Sequence, residues 1–284
     1  MNFSMFKRSD VYYSGSERKL GIIIGEDEYM VKFQKATAFG KRYNHVSEYL
    51  GSRIFGLLGF EVQETFLGSY DGEPVVACKN FIGHNEYFVP FNDVGESTLD
   101  QDKELYQYTY EDIMQMLRDN SKLTNVNETI SLFWEMFIVD ALIGNFDRHG
   151  GNWGFIKCND KYRLAPVFDN GSCLYPKMID EREMLLVMQS EEETDKRIYT
   201  FPTSQVKLNG NKSSYYEVIN SLAFPECNVA LEKIVERIDL DIIFKLIDET
   251  VEISDVRKSF YKHMLRNRYE KILKASYDLL RNKK

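Results

Sequence analysis

The chain has 284 residues, of which 43% are hydrophobic and 28% are charged, and its formal net charge is −8. This composition supplies enough apolar material for a folded core and excludes a largely disordered chain. A net acidic protein is a poor general binder of nucleic acid, so no direct nucleic-acid binding is expected. The length permits one large domain or two lobes.

The cysteines and the N-terminal residues favour a reduced protein with a cytoplasmic location where it is synthesised. No C-x-x-C pair occurs, which predicts free thiols, and the four cysteines are Cys78, Cys158, Cys173 and Cys227. The N-terminus lacks the apolar core of a secretory signal. The most apolar stretch, residues 130–144, contains two acidic residues and is too short to span a bilayer. We expect no transmembrane segment, and export without an N-terminal signal stays open.

Short apolar runs separated by turns predict a small antiparallel sheet in the first 80 residues. One helix is expected within it, because residues 43–58 carry apolar side chains at helical spacing and Gly59 supplies a stop. The predicted strands are residues 20–24, 29–33, 60–70 and 74–79.

After residue 80 the pattern becomes mainly helical. Residues 130–143 are apolar almost all round, which predicts a buried central helix. The other predicted elements are a loop at 92–101, a helix at 110–119, strands near 153–157 and 162–167, a mobile acidic surface segment at 180–197, and helices from 214 onward. The fold class is therefore α+β, with a sheet-rich part at residues 1–80 and a larger, mainly helical part at residues 81–284.

The strongest functional signal lies in the loop at residues 144–152, directly after the apolar helix. Asp147 and Asn152 have four residues between them, which is the D-x-x-x-x-N spacing of a kinase catalytic loop. A carboxylate there orients or accepts the proton of an attacking hydroxyl, and a carboxamide one short loop away is a magnesium ligand. Gly150 and Gly151 allow the backbone to turn sharply. The loop predicts Asp147 and Asn152 as catalytic residues, with Asn152 also a metal ligand.

A second acidic motif, Asp169-Asn170-Gly171, begins seventeen residues after Asn152. It is a variant of the kinase D-F-G element with Asn170 in the Phe position. Asp169 is predicted as the second catalytic magnesium ligand, since Mg²⁺ prefers oxygen ligands from one or two carboxylates plus phosphate. A lone Asp in a loop is more often a turn former, but two such motifs in this order, flanking a strand pair, favour catalysis.

Lys32 lies in the second predicted strand, in the run Met-Val-Lys-Phe. A strand lysine between apolar residues resembles the V-A-I-K element that grips the phosphates of ATP. The alternative is an edge-strand lysine that extends to water. Glu48 on the following helix is expected to pair with Lys32 and to order it, the alternative being an exposed helix glutamate.

The stretch Ser14-Gly15-Ser16 occupies the place of a phosphate-covering loop, and Lys19 adds a positive charge beside it. Neither G-x-G-x-x-G nor a P-loop motif is present, so a plain N-terminal turn is the alternative. Ser14 and Ser16 are also candidate autophosphorylation sites, because a loop of small polar residues next to ATP must move to admit the nucleotide.

Three further features carry weaker signals. Cys78 to Phe81 is the expected connection between the two lobes, whose backbone would meet the adenine. His149, inside the catalytic loop, is interpreted as a structural histidine that holds loop carbonyls. Residues 255–284 contain ten basic and three acidic residues, which indicates either a solvated helix face or a docking surface for an acidic partner, nucleic acid or anionic lipid.

Together these motifs resemble the HipA-like kinase family, in its small CtkA-type members. The resemblance implies a two-lobed protein-kinase-like fold, with residues 1–80 as the N-lobe and 81–284 as the C-lobe of one catalytic domain. It also implies ATP and Mg²⁺, phosphorylation of protein serine or threonine, and autophosphorylation in some members. Larger members pair with a DNA-binding antitoxin, which makes an antitoxin a candidate partner. The supporting segments are residues 29–33, 47–50, 62–65, 76–79, 145–152 and 168–176.

Two other functions are compatible with the motifs. The D-R-H-x-x-N run is also similar to the catalytic loop of phosphatidylinositol kinases, so a lipid kinase is the runner-up enzyme; it would need a basic or apolar membrane-facing surface. A catalytically silent kinase fold acting as a binding module is disfavoured, because Lys32, Asp147, Asn152 and Asp169 are all present.

Overall fold

A computed structural model describes most of the chain, and the described residues form two compact units. The first unit comprises Met1–Phe81 and Pro166–Glu181, and the second comprises Ile82–Ala165 and Arg182–Lys284. The chain therefore enters the first unit twice. The described residues are 1–11, 13, 18–38, 40–95, 108–119, 125–159, 161–208 and 210–283.

The first unit is built on one antiparallel sheet with strand order β1-β2-β3-β7-β6. The two predicted hairpins and the predicted helix are confirmed, although the strand expected from residue 60 begins at Thr65. Gly25 and Gly72 both have positive φ and allow the tight turns of the two hairpins. The elements are β1 (Lys7–Arg8), β2 (Lys19–Ile24), β3 (Asp27–Phe33), β4 (Ala36–Thr37), β5 (Gly40–Lys41), α1 (Asn44–Leu57), β6 (Thr65–Tyr70) and β7 (Glu73–Lys79).

The two faces of this sheet carry different kinds of residue. One face carries an apolar core whose members are Phe3, Ile22, Tyr29, Val31, Phe33, Tyr70, Val75 and Ala77. Because side chains alternate along a strand, Lys32 of β3 and its paired residue Val76 of β7 belong to the opposite face. Helix α1 lies on that face, since its Glu48 contacts Lys32.

The late segment of the first unit, Pro166–Glu181, is tied to the chain on both sides of α1. The N–H of Gln63 donates to the carbonyl of Val167 at 2.9 Å, and the N–H of Tyr43 donates to that of Pro176 at 3.0 Å. Between these ties Gly51 allows a close approach, because a Cβ there would lie 2.5 Å from the Cβ of Asn170. The helix and the segment that holds Asp169 are thus packed as one body.

The second unit is mainly helical, and the predicted central helix and strand pair are confirmed. Its small sheets have the orders β11-β10-β8 and β13-β12-β9. The strands are β8 (Glu86–Pro90), β9 (Tyr108–Thr109), β10 (Gly154–Cys158), β11 (Lys161–Leu164), β12 (Thr203–Leu208) and β13 (Asn211–Ser214). The helices are α2 (Phe91–Gly95), α3 (Tyr110–Asp119), α4 (Val126–Ile143), α5 (Glu181–Gln189), α6 (Glu191–Asp195), α7 (Tyr215–Asn220), α8 (Pro225–Val235), α9 (Leu240–Glu249), α10 (Asp255–Arg268) and α11 (Ala275–Lys283), with π-helical turns at Lys196–Thr200 and Tyr269–Lys274.

Some local predictions for the second unit are wrong. The acidic segment 180–197 is helical, because Ser190 caps α6 by accepting from the N–H of Glu193 and Arg197 bridges Glu183 and Glu193. The start of the expected loop at 92–101 belongs to the short helix α2, and the rest lies outside the described residues. Strand β8 and the β12–β13 hairpin were not predicted.

The basic C-terminal stretch is largely engaged by the second unit itself. Arg257 and Arg268 are each 1% exposed. Lys262 pairs with Asp248 at 2.7 Å, and Lys271 pairs with Asp195 at 2.5 Å. These contacts favour the helix-face interpretation over a docking surface. Across the described part of the chain, no helix has the length and apolar character needed to cross a membrane.

The close approach at Gly51 yields a stability prediction. Gly51→Ala should destabilise the protein by about 1–3 kcal/mol, because the new methyl group must displace Asn170 or Cys173, whose Sγ would lie 3.0 Å away. Gly56→Ala, in the same helix, is the matched control: its Cβ would meet only Val62 at 3.5 Å, so it should stabilise by up to about 1 kcal/mol. Denaturant unfolding of both variants measures the difference. Equal stability of the two variants would contradict the packing described.

Candidate active site

A buried lysine between two carboxylates forms the centre of the first unit. Lys32 Nζ donates to Glu48 Oε2 at 2.8 Å and to Asp169 Oδ1 at 3.0 Å. The predicted pairing of Lys32 with Glu48 is thus present, and Asp169 joins it. Burial is the largest influence on the pKa of Lys32 and lowers it, but Asp169 and Glu48 together raise the pKa well above its ordinary value. The ammonium group therefore stays charged although only 7% of the residue is exposed.

Glu48 connects this lysine to the backbone beside Asp169. Its Oε1 accepts a hydrogen bond from the N–H of Asn170 at 2.8 Å, while its Oε2 accepts from Lys32. Burial raises the pKa of Glu48, Asp169 raises it further, and Lys32 opposes both. A carboxylate that uses both oxygens in this way holds the strand and the late segment in a defined relation.

Asp169 adopts a backbone conformation that few residues other than glycine accept. Its φ is +56°, in the left-handed region, which costs about 1 kcal/mol for a residue with a Cβ. The Lys32 contact and the Asn170–Glu48 hydrogen bond hold it there. Its side chain remains 39% exposed, so a ligand can reach the carboxylate. Strained backbone of this kind concentrates at functional sites.

In the second unit, the loop that follows α4 is organised by a buried carboxylate, Asp140. Gly144 ends the helix at a φ of +63°. Asp140 Oδ2 accepts from Arg148 Nε at 2.9 Å, and its Oδ1 accepts from Arg148 Nη2 at 3.1 Å and from Asn145 Nδ2 at 2.9 Å. This bidentate pair and the amide contact attach the loop to the helix at two points.

The two predicted catalytic residues of this loop are brought together. Asn152 Nδ2 donates to the carbonyl of Asp147 at 2.8 Å, a contact that does not use the Oδ1 atom of the amide. Arg148 Nη1 donates to the carbonyl of Asn152 at 3.1 Å, and the N–H of Asp147 donates to Asn145 Oδ1 at 3.2 Å. The loop is therefore closed on itself and anchored through Arg148 to Asp140.

The remaining predicted residues have varied placements. Ser14, Gly15 and Ser16 lie outside the described residues. Lys19 lies in β2 directly opposite Lys32. His149 is exposed, and its Nδ1 accepts from the N–H of Gly151 at 3.0 Å, so it holds a loop amide and not the carbonyls that were expected.

The predicted lobe connection lies at the end of β7. Cys78 is fully buried in that strand, and burial raises the pKa of its thiol. It pairs with Met30 and Thr65 and so shares a sheet face with Lys32. The ring of Phe81 contacts that of Phe168 at a centroid distance of 5.5 Å.

Sequence reasoning missed the residues that support the loop in the second unit. Asp140 stood out only as an acid in an apolar helix, and its partners Arg148 and Asn145 follow within eight residues. Tyr215 is distant in sequence, yet its hydroxyl donates to the carbonyl of Asn145 at 2.8 Å. A charged residue on an otherwise apolar helix shortly before a catalytic loop was the available signal.

The buried Lys32 centre predicts a pH-dependent stability difference. Lys32→Met leaves Glu48 beside Asp169 without a cation. It should lower the free energy of unfolding by about 3–5 kcal/mol near neutral pH. The pKa of Glu48, already raised, then rises further, so the folded state takes up a proton more readily than the unfolded state as pH falls. The ammonium contribution in the wild type is constant over this range, because the pKa of Lys32 is raised above an ordinary value of 10.5. The difference in unfolding free energy between wild type and variant should therefore become smaller as the pH falls from 8 to about 5.

Denaturant unfolding at several pH values measures this deficit, with Lys19→Met on the opposite strand as the matched control. The control should change stability by about 0.5 kcal/mol or less, without this pH trend. A Lys32→Met deficit that stays constant or grows toward low pH would show that Glu48 does not depend on Lys32.

Comparison with known proteins assigns this fold to a family. Residues 12–240 match the protein-family model of the HipA-like C-terminal domain. Serine/threonine-protein kinase CtkA from Helicobacter pylori is 35% identical over 266 residues, covering 91% of this chain and 81% of CtkA. The crystal structure of the H. pylori proinflammatory kinase CtkA superposes with a TM-score of 0.92 at 31% identity, covering 99% of this chain and 98% of that one.

A more distant solved structure agrees in fold. HipA of Shewanella oneidensis, solved in a toxin–antitoxin complex with HipB and operator DNA, matches with a TM-score of 0.62 at 16% identity, covering 96% of this chain and 67% of that one. The predicted kinase-like α+β fold class is confirmed by the CtkA match. The chain therefore belongs to the HipA-like family of serine/threonine kinases.

Proposed function

We propose that this kinase transfers the γ-phosphoryl group of ATP to a serine or threonine hydroxyl of a protein, with Mg²⁺ as the required cation. The observation that carries the proposal is the buried contact of Lys32 with Glu48 and Asp169. Both carboxylates favour the charged form of this buried lysine. Phosphoryl transfer needs such fixed charges, because catalysis there is mostly positioning and electrostatic stabilisation.

Lys32 is assigned to the phosphates of ATP. Its ammonium group has three donor hydrogens, and two of its contacts are to Glu48 and Asp169. Glu48, only 2% exposed, orients Lys32 without itself being accessible to a nucleotide. The CtkA match and the strand position of Lys32 support this role, which the V-A-I-K comparison also suggests.

Asp147 is assigned to the acceptor hydroxyl. Its carboxylate would orient the hydroxyl and take its proton as the new oxygen–phosphorus bond forms. At the same time the bond between the γ-phosphorus and the β–γ bridging oxygen breaks and ADP leaves. The loop supports this role because Asn152 binds the carbonyl of Asp147 and Asn145 binds its N–H. Asn145 is itself held by Asp140. A base that is held in this way needs little rearrangement to reach its productive geometry.

The side chains assigned to Mg²⁺ are Asp169 and Asn152, and the donor set fits this ion. Both offer hard oxygen atoms, and Asp169 is exposed enough to bind. Within the described ranges, no cluster of three or more His, Cys, Asp or Glu residues could hold a metal by itself. That agrees with Mg²⁺, which combines one or two protein ligands with phosphate oxygens and water. When bound, the cation would offset negative charge on the phosphates.

Neither alternative function gains support. A lipid kinase would need a membrane-facing surface, but the basic C-terminal residues discussed above are buried or paired within their own unit. A silent binding module would not require the strained Asp169 or the buried Lys32. Autophosphorylation at Ser14 or Ser16, and pairing with an antitoxin, stay predictions.

Asp147→Asn should leave ATP binding and the fold intact and lower phosphotransfer by roughly 10²–10⁴-fold, because the amide cannot accept the hydroxyl proton. Incubation with labelled ATP, Mg²⁺ and protein substrates, followed by mass spectrometric site mapping, measures the transfer. Asp241→Asn, in the first turn of α9, is the control and should retain full activity. Turnover of Asp147→Asn near the wild-type rate would refute the assignment.

Asp169→Asn should reduce the gain in ATP affinity that Mg²⁺ provides by roughly tenfold or more, since the charge of Asp169 matters most when the cation is present. Asn tolerates the left-handed backbone and is close in size to Asp, so the fold should be kept. Calorimetric titration of ATP with and without Mg²⁺ separates the two states. If the variant keeps the full Mg²⁺-dependent gain, Asp169 is not a ligand of the cation.

A further inference from the structure

Two aromatic rings contact each other in the second unit, and one of them belongs to the residue that precedes Asp147. Phe146, which precedes Asp147 in the chain, has its ring centroid 6.1 Å from that of Phe201, with the ring planes inclined by 33°. Phe201 is 46% exposed and Phe146 is half-buried. Among the phenylalanines that the structure describes, only Phe201 is exposed, and an exposed aromatic surface next to a reacting centre is a typical recognition feature.

The two rings are attached to the same backbone that positions Asp147. Gln205 Nε2 donates to the carbonyl of Phe146 at 3.4 Å. The N–H of Phe201 donates to the carbonyl of Lys196 at 3.2 Å, which ties Phe201 to the preceding π-helical turn. The Gln205 contact and the ring contact thus both join the segment around residue 201 to the residue that precedes Asp147.

We propose that the Phe146–Phe201 pair binds an apolar side chain of the protein substrate, adjacent to the serine or threonine that is phosphorylated. The proposal rests on the proposed function of Asp147. When the acceptor hydroxyl reaches Asp147, the neighbouring substrate residues follow at about 3.8 Å per residue between Cα atoms. Phe146 is directly bonded to Asp147, so a residue one or two positions from the acceptor is the one within reach of the rings.

The chemistry of the pair selects the occupant. Neither phenylalanine ring offers a hydrogen bond or a charge, so a basic or acidic side chain would lose water there without gaining a partner. An aliphatic or aromatic side chain gains from leaving water. The acceptor sequences of this kinase should therefore be distinguished by an apolar residue next to the phosphorylated serine or threonine.

The test uses the full chain and two sets of synthetic peptides, each with one serine or threonine. One set carries Leu or Phe at positions one and two residues before or after the acceptor, and the other carries Asn, Gln or Asp there. We expect the wild-type kinase to prefer an apolar residue at one of these positions by about tenfold or more in kcat/KM, with the difference mainly in KM. Fluorescence anisotropy of the same peptides measures binding even for a slow acceptor.

Phe201→Ala should reduce the ratio of kcat/KM for apolar peptides to kcat/KM for polar peptides toward one. Tyr87→Ala, which removes another exposed aromatic ring of the second unit, 69% exposed on β8, should keep the wild-type ratio. Thermal unfolding of both variants establishes that each is folded. If the wild type shows no preference in turnover or binding, or if Phe201→Ala lowers both peptide classes equally, the proposal is overturned.

Two further results distinguish this proposal from the proposed function of Asp147 and from self-association of the chain. If Asp147→Asn remains active, the proposed function of Asp147 is refuted. If Asp147 is essential but no apolar preference exists, only the proposed binding of a substrate side chain by the two rings is refuted. Light scattering tests the rings as a contact between two copies of this chain. A dimer that Phe201→Ala converts to a monomer, with the peptide preference unchanged, would assign the rings to self-association and overturn the proposal.

Discussion

The first unit depends on the buried contact of Lys32 with Glu48 and Asp169. A charge removed from water must be paired, and here one ammonium group balances two carboxylates that would otherwise repel each other. Each of the three residues comes from a different element: strand β3, helix α1 and the segment after residue 166. A shift of β3 or α1 would separate the buried Lys32–Glu48 pair, and a shift of the late segment would break the Lys32–Asp169 contact. The contact therefore holds these three elements together and keeps a fixed positive charge between them, as the proposed phosphate contact of Lys32 requires.

The second unit uses the same physical device with different residues. Asp140, 1% exposed, accepts hydrogen bonds from Arg148 and Asn145, and these hold the loop that carries Asp147 and Asn152. In both units a buried carboxylate orients residues that are assigned contacts with the substrates, while the carboxylate itself is assigned none. Glu48 orients a lysine, and Asp140 orients a loop. Because Arg148 is bound in two places to Asp140, the loop is anchored within its own unit.

Prediction from sequence succeeded where the pattern was local. The hairpins were visible from short β-branched runs and turn residues, and α4 was visible from its apolar length, although it begins at Val126, earlier than expected. Prediction failed where an element is short or polar. Strand β8 has its register set by pairing with β10, and α5 and α6 are stabilised by caps and ion pairs in a stretch whose charge suggested mobility. Those stabilising contacts join residues whose relation depends on the folded chain.

The sequence by itself determined the fold class and predicted the chemistry of the site, because Asp147, Asn152 and Asp169 are recognisable from residue type and spacing within short motifs. It also suggested Lys32 and Glu48 as a pair, since a strand lysine and the next helix are close in the chain. Only the tertiary structure decided that Asp169, 137 residues away from Lys32, joins that pair, and that its backbone is held in a left-handed conformation. It alone placed Phe201 against Phe146. Spacing along the chain sets what a short loop can do, whereas contacts between distant segments follow from which charges and rings must be buried together.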